Sequence, residues 1–278
     1  MRPASDISRR INAERLLLVA WLRAMLLQFA HPLIAAGVAE HSTFRGSPAA
    51  AFARLRQTVQ AMLSLTYGTE LERDAALDLI RAIHRRVNGT VTSSYGCFPA
   101  GTRYSAEDSD LLTWVHVTLI ESMVLTYEQL VEPLTAAERD RYCDDAAEVA
   151  IALGASPLDV PRSWAATQAC VERRYASGEI AVGQQALTLA AALVSPGGRF
   201  LRWLAAPSVS VVAAGLLPAH VRTQYGFAWN RRHERRFMRT MALLRLMRRA
   251  LPRRFTQWQR ARLVGRIALR HDYSAAAR

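Results

Sequence analysis

Two histidines and one arginine have the types and spacing that could support chemistry at a buried site. The segment 79–90 reads LIRAIHRRVNGT. On a helix, His84 falls inside an apolar arc and Arg81 lies at its edge one turn earlier. His116 lies in the middle of the apolar stripe of a second helix, predicted over about 107–130. The arc around His84 consists of Leu77, Ile80, Ile83 and Val87.

A single interior histidine is usually a core residue that hydrogen-bonds a backbone carbonyl. Here two helices, separated by one loop, each direct an imidazole inward. One strong nitrogen ligand in an apolar pocket suits a haem better than a bare ion, because haem iron takes a single proximal histidine and the macrocycle is apolar. Across the iron, a histidine and an arginine could bind or polarise oxygen or peroxide, since arginine stays charged when buried.

Other common chemistries lack their motifs. The sequence has neither H-E-x-x-H nor Glu-x-x-His, the helical zinc and di-iron motifs. It contains no lysine, which excludes a pyridoxal-phosphate Schiff base and the phosphate loop G-x-x-x-x-G-K-[ST]. Its three cysteines are widely spaced and odd in number, which favours a reducing compartment over a disulfide framework.

The elements that must position these residues are predicted to be helices nearly throughout. Proline and glycine interrupt the pattern at Pro32, Gly68, Asn88-Gly89 and Pro133. The loop 89–105 could hold short β segments. Thr135 with Glu138 forms a capping box, and Ser105 is predicted to cap the helix over 107–130. The expected helices cover 6–30, 48–67, 70–87, 107–130, 135–153, 161–176, 179–194 and 199–217, followed by a broken helical tail.

Membrane insertion is not expected. The N-terminal apolar run is interrupted by Asp6, Glu14, Arg23 and Gln28, unlike a signal peptide. The apolar stretches 180–194 and 203–219 are shorter than the roughly 20 clean residues of a spanning helix. We expect buried core helices and a cytoplasmic location, with shallow membrane association as the alternative.

Three segments resemble a known family. They are QFAHPLIAAGVAEHSTF (28–44), IRAIHRRVNGTV (80–91) and YSAEDSDLLTWVHVTLIESM (104–123). In order and spacing they resemble the bacterial family grouped with rubber oxygenase (latex clearing protein) and the mycophenolic-acid oxygenase MpaB. The resemblance covers roughly residues 15–240. Its most specific part is the W-V-H block that contains His116.

The resemblance implies an all-α fold, a single globular multi-helix domain around a buried pocket for haem b. The family's proximal histidine corresponds to His116. In the rubber oxygenases the other haem face is governed by an Arg, a Lys three residues on, and then a Thr; the matching positions here are Arg81, His84 and Arg85. The departure leaves polyisoprene unsupported as a substrate and allows His84 to be a second iron ligand. Residues 1–230 would form this domain, with 231–278 packed on it.

Four further residues are predicted to bind the cofactor. His31 and His41 could contact the haem edge, although helix-turn hydrogen bonds explain them as well. Arg54 could meet a haem propionate, because arginine pairs well with carboxylates, but a solvated helix face is the simpler interpretation. Met123 lies on the apolar stripe of His116. In the loop, Tyr95, Phe98 and Tyr104 could line a substrate entrance.

The whole net charge lies in the C-terminal tail. Residues 231–278 contain 15 arginines and 2 acids, so the entire formal charge of +13 sits there. Phe237, Met241, Leu244 and Met247 recur at helical spacing beside the arginines. Such a helix could pack on the body with a solvated arginine face, lie on an anionic membrane, or bind nucleic acid. The first interpretation is favoured and nucleic acid is the least favoured.

Together these features predict an enzyme, a haem b-dependent oxygenase or peroxygenase that uses oxygen or peroxide. Its substrate would be an apolar small molecule, isoprenoid or lipid-like in character. His116 would be the iron ligand, and Arg81 and His84 the catalytic groups opposite it. The alternative is a non-catalytic haem sensor or carrier in which His84 and His116 both ligate iron. A third hypothesis is a haem-free helical protein that acts through its basic tail.

Overall fold

The fold is all-α, as predicted. The structure, a computed structural model, describes residues 3–41, 48–194 and 206–264. Within these ranges the sheet content is one short antiparallel ribbon. In chain order the elements are α1 Asp6–Asn12, a 3-10 turn Arg15–Leu17, α2 Leu18–Phe29, α3 Pro32–His41, α4 Pro48–Tyr67, α5 Glu70–His84, β1 Asn88–Thr90, β2 Arg103–Ser105, α6 Ser109–Leu130, α7 Ala136–Ala152, α8 Trp164–Ala176, α9 Gln184–Val194, α10 Ala206–Leu216, α11 Ala219–Gln224, α12 Arg231–Ala250 and α13 Arg253–Thr256.

Helix α6 lies at the centre, with α2, α7, α8 and α12 packed around it. It is buried on every side because its sequence is apolar nearly all round. Its N-terminus is capped by the Asp108 carboxylate, which accepts from the amides of Asp110 and Leu111. The predicted cap at Ser105 was therefore wrong by three positions, and Ser105 instead ends β2.

Helices α2 and α3 meet at a sharp bend of 106°. His31 occupies the bend, and Pro32 begins α3, where its missing N–H is not needed. The strands β1 and β2, which pair Gly89 with Tyr104, pack against α3. At Gly37 of α3 the packing is close, because a Cβ would lie 3.2 Å from a Val87 methyl group and Val87 would have to shift. The loop 89–105 is therefore bounded by two short strands, which the sequence pattern left open.

Helices α4 and α5 form a hairpin that turns at Gly68. Thr69 and Glu72 form a capping box at the start of α5. A second capping box, at Thr135 and Glu138, starts α7 as predicted. On α5 the side facing the body carries Leu77, which is buried, whereas Ile83 is 47% exposed. The predicted apolar arc therefore excludes Ile83.

The first predicted helix is interrupted. Instead of one helix from 6 to 30, α1 ends at Asn12 and α2 begins at Leu18. Glu14 lies at the break, 3% exposed, and accepts from Nε and Nη2 of Arg248 on α12 at 2.6 and 2.7 Å. Trp258 donates its amide to the Ala13 carbonyl. The C-terminal segment is thus attached to the N-terminal turn.

Within the described residues no single helix is long and apolar enough to cross a bilayer. The bent pair 15–29 and 32–41 has the required length and composition only when its two helices are taken together.

Candidate active site

His116 projects from the side of α6 that faces α4 and α7. One turn before it, Leu112 packs in a cluster with Ala147 and Ala150 of α7. One turn after it, Ile120 packs in a second cluster with Val59 of α4 and residues of α7. The imidazole therefore lies between two apolar clusters, and its residue is 9% exposed.

The His116 ring has no hydrogen-bond or ion-pair partner among the described residues. Burial alone lowers its pKa to about 4, from an ordinary value of 6.5. The ring is consequently neutral at physiological pH, with a nitrogen lone pair available. A neutral imidazole is the form that ligates a metal. An unpartnered polar group in an apolar setting is otherwise unfavourable, since buried polar groups are normally hydrogen-bonded.

Arg81 and His84 lie on the half-buried side of α5. Arg81 donates from Nε and Nη2 to the Ala152 carbonyl at 3.0 and 2.5 Å, and its Nη1 pairs with Asp78 at 3.0 Å. The Nδ1 of His84 is buried without a partner. Burial lowers the pKa of His84, and the nearby Glu107 carboxylate opposes this in part. His84 therefore also remains neutral at physiological pH.

The C-terminal half of α7 is the neighbour that α5 and α6 share. Arg81 binds its last residue, Ala152, while Ala147 and Ala150 pack on Leu112 beside His116. The charge of Glu107, just before α6, acts on His84. Arg81 is thus joined to the end of α7 that packs near His116, but within the described residues no recorded hydrogen bond, ion pair or ring contact joins Arg81 or His84 to His116.

His31 lies elsewhere, at the bend between α2 and α3. It is 1% exposed, and its ring centroid lies 5.1 Å from that of Phe98. Its Nε2 is 3.9 Å from the Glu179 carboxylate, which also binds Arg174. Burial lowers the pKa of His31 to about 4, with Glu179 opposing and Arg174 reinforcing that shift. These charged neighbours give His31 a structural environment unlike that of His116.

His41 and the loop aromatics make local contacts. The Nε2 of His41 lies 3.1 Å from the Asn88 carbonyl, which links the end of α3 to β1. Tyr104 is buried and donates its hydroxyl to Glu40. The ring of Tyr95 lies against Gly183. With Phe98 on His31, all three aromatics predicted at a substrate entrance have packing partners.

Met123 lies two turns beyond His116 on the same side of α6. It lines a small cavity of about 10 Å³, with room for about one water molecule, between the N-terminal turn and α4. The walls are mostly apolar, with two polar groups; they are formed by Asn12, Glu14, Leu17, Leu18, Trp21, Met62, Met123 and Trp258. Arg54 belongs to α4, but its side chain lies outside the described residues.

The opposite side of α6 carries an ion pair that sequence reasoning missed. Glu121 is 7% exposed and pairs with Arg23 of α2 at 2.7 Å. Arg23 also donates to the Leu216 carbonyl and the Ser122 hydroxyl at 2.9 and 2.8 Å. The sequence feature that could have indicated this pair is Arg23, a charged residue in the mostly apolar helix α2. Among the described residues, no group of three His, Cys, Asp or Glu side chains could hold a metal ion.

Comparison with known proteins identifies the family. A family model described as ER-bound oxygenase mpaB/B'/rubber oxygenase, catalytic domain, matches residues 8–246. The chain belongs to this oxygenase family. The match confirms the resemblance seen in the sequence, and it includes α5, α6 and α7, which carry the candidate site.

Two curated relatives come from mycobacteria. Each is 26% identical to this chain over 238 residues, covering 83% of this chain and 88% of the relative. One is from Mycobacterium tuberculosis and the other from Mycobacterium bovis, and both are described as uncharacterized proteins. No solved structure gives a significant match.

Proposed function

We propose that this family member is a haem b-dependent oxygenase or peroxygenase and that His116 holds the haem iron. The observation that carries the proposal is the unpartnered, neutral imidazole of His116 between two apolar clusters. Haem iron requires one such ligand and an apolar surround for the macrocycle. The residues present therefore fit the group, and the oxygenase family supports the same chemistry.

The haem, when bound, would supply oxygen or peroxide activation. This chain's own residues would supply ligation, orientation and exclusion of water. Leu112 and Ile120 flank His116 with apolar clusters, which keep bulk water from the ligand nitrogen. The depressed pKa of His116 keeps that nitrogen deprotonated at physiological pH.

Arg81 and His84 are the proposed catalytic groups. The Arg81 guanidinium carries a permanent positive charge and is oriented by the Ala152 carbonyl and Asp78. Such a charge stabilises negative charge that develops on a reacting oxygen. His84 has a buried, unpartnered Nδ1. Its neutral ring would accept or return a proton at a ring nitrogen.

The substrate class is inferred from the apolar surroundings of His116. The clusters on either side of it are made of apolar side chains. Sites for small molecules are mostly apolar with a few polar groups that fix orientation. We infer an apolar small molecule, of isoprenoid or lipid-like character, as the substrate.

A second candidate function is a haem sensor or carrier. The observation that favours it is His84, whose neutral imidazole has an unpartnered nitrogen of its own. If His84 and His116 both ligated iron, no open coordination position would remain. A low-spin spectrum that persists with oxygen, peroxide and apolar substrates, and converts to five-coordinate in His84→Ala, would establish this function instead of catalysis.

The deciding experiment is the absorption spectrum of the purified protein. We expect an intense Soret band in the parent protein and its loss in His116→Ala. Leu112→Ala is the matched control, because it opens a cavity one turn away on the same side of α6 and keeps the ligand. Equal haem content in the parent protein and in His116→Ala would overturn the assignment.

A further inference from the structure

The C-terminal segment exposes large apolar side chains on one surface. In the described part of the chain, exposed leucine, methionine and phenylalanine concentrate between 238 and 263, with Leu246 62% and Met238 59% exposed. Monomeric proteins rarely expose such contiguous apolar groups without a binding role. We call this surface the outer tail face; its apolar members are Met238, Leu243, Leu246, Met247, Leu251 and Phe255.

The outward orientation of this face is fixed by the inner side of α12. Phe237 and Met241 are buried against α10 and the core. At Gly215 of α10, any Cβ would overlap the Phe237 ring. Arg248 is held by Glu14, as described above. The helix therefore cannot rotate to bury Leu243 or Leu246 without breaking these contacts.

Exposed arginines surround the apolar side chains. Arg248 and Arg245 bind groups of the body, but most arginines of the segment face water. The only acid among the described residues 231–264 is Glu234, which accepts from the Trp229 indole. The exposed arginines are Arg231, Arg232, Arg235, Arg236, Arg239, Arg249, Arg253 and Arg254.

We propose that the outer tail face binds the surface of an anionic phospholipid bilayer. The outer tail face carries both arginines and large apolar side chains. The arginines can bind the lipid phosphate groups, and the apolar side chains can insert among the acyl chains. A nucleic acid would satisfy the arginines but leave Leu243 and Leu246 in water. A second copy of this face would repel the first through its arginines. Charge complementarity together with apolar exposure therefore selects the bilayer.

The first measurement is co-sedimentation of the full-length protein with vesicles. We expect binding to phosphatidylcholine vesicles that contain about one-third phosphatidylglycerol, and weak binding to phosphatidylcholine alone, because each arginine near an anionic surface adds attraction. Binding should fall as salt is raised. Failure to bind the anionic vesicles, or equal binding to both vesicle types, would overturn the proposal.

Two variants separate the bilayer from a nucleic acid. Leu243→Asn/Leu246→Asn is expected to lower vesicle binding at least about tenfold, since two exposed leucines can no longer insert among the acyl chains, and to leave binding to a DNA duplex unchanged. Leu158→Asn/Leu187→Asn is the matched control, because both leucines are exposed elsewhere. If the tail variant bound vesicles as tightly as the control, the surface would be a general polyanion site and the proposal would fail.

A third variant tests the charge. Arg235→Gln/Arg239→Gln is expected to weaken vesicle binding by roughly tenfold. Arg103→Gln/Arg173→Gln, which removes two exposed arginines of β2 and α8, is expected to leave it within about twofold. Equal loss in both pairs would show that net charge, rather than this face, drives binding. Neither pair touches the candidate haem site, so haem content reports separately on the proposed function.

Discussion

The two sides of α6 differ in how their buried ionisable side chains are partnered. On the side that meets α2, Arg23 has three partners and Glu121 has its cation. Gln28 donates from α2 to the Val115 carbonyl and the Thr118 hydroxyl on the same side. On the side that meets α4 and α7, His116 has no partner. One helix thus carries a buried ion pair and an imidazole without a charged or hydrogen-bonding partner on different faces.

The difference distinguishes buried polar side chains that stabilise the fold from a buried side chain that could bind a ligand. A satisfied network stabilises a particular packing of α2 on α6, and removing one member leaves the others unpaired. An isolated buried imidazole lowers stability instead, because a desolvated polar group without a hydrogen bond is unfavourable. Such a group is expected where a ligand supplies the missing contact. This difference is what supports the proposal that the His116 side is the binding side.

The largest expected effect is a loss of stability when the ion pair of Arg23 with Glu121 is broken. Arg23→Met leaves the Glu121 carboxylate buried without its cation and should lower the free energy of unfolding by about 3–5 kcal/mol. The exposed pair of Arg10 with Glu138 provides the control, and Arg10→Met should cost less than about 1 kcal/mol. Urea denaturation measures both. Equal losses would show that the Arg23 network is no more structural than a surface ion pair.

The next effect is acid sensitivity. Folding lowers the pKa of His116 and of His31 from 6.5 to about 4, so the unfolded chain binds more protons in this range. Stability is therefore greatest above pH 6.5, and each histidine lowers it by up to roughly 3 kcal/mol as the pH falls toward 4. Chemical denaturation of haem-free protein at several pH values measures the slope. A flat profile over this window would contradict both shifts.

The smallest expected effect is an increase, not a decrease, in the free energy of unfolding. His116→Leu should raise the free energy of unfolding of the haem-free protein by about 1–3 kcal/mol at neutral pH, because an apolar side chain of similar size replaces an unpartnered imidazole. It should also remove roughly half of the acid sensitivity and abolish the Soret band. Thermal and urea unfolding would check the first point. Destabilisation by this variant would show that the ring is a core residue after all.

Much of the fold was predictable because local signals agree with the packing. The pattern over 107–130 places His116 on a buried helix, and the capping box at Thr135 and Glu138 marks the start of α7. The family resemblance found in the sequence is confirmed by the model that matches 8–246. The residues proposed for catalysis and haem binding stay predictions, to be decided by spectra and turnover.

What the sequence could not show depends on distant partners. Glu121 lies on the side of α6 away from His116, and its cation, Arg23, lies on another helix. The break between α1 and α2 depends on Glu14 meeting Arg248 from α12. Ser105 and Asp108 are both acceptable N-caps, and pairing of β1 with β2 decides between them. Hydrophobic periodicity cannot identify such contacts.

The attachment of Glu14 to Arg248 also constrains how the chain is made. A ribosome releases the N-terminus first, so α1 and the following turn emerge long before their arginine does. Until then the Glu14 carboxylate must stay hydrated, because a charge does not enter an apolar interior unpaired. The N-terminal turn can therefore close only late in synthesis, and pairing across so long a loop slows the final step of folding. Truncation before Arg248 should leave both ends of the molecule open to proteases.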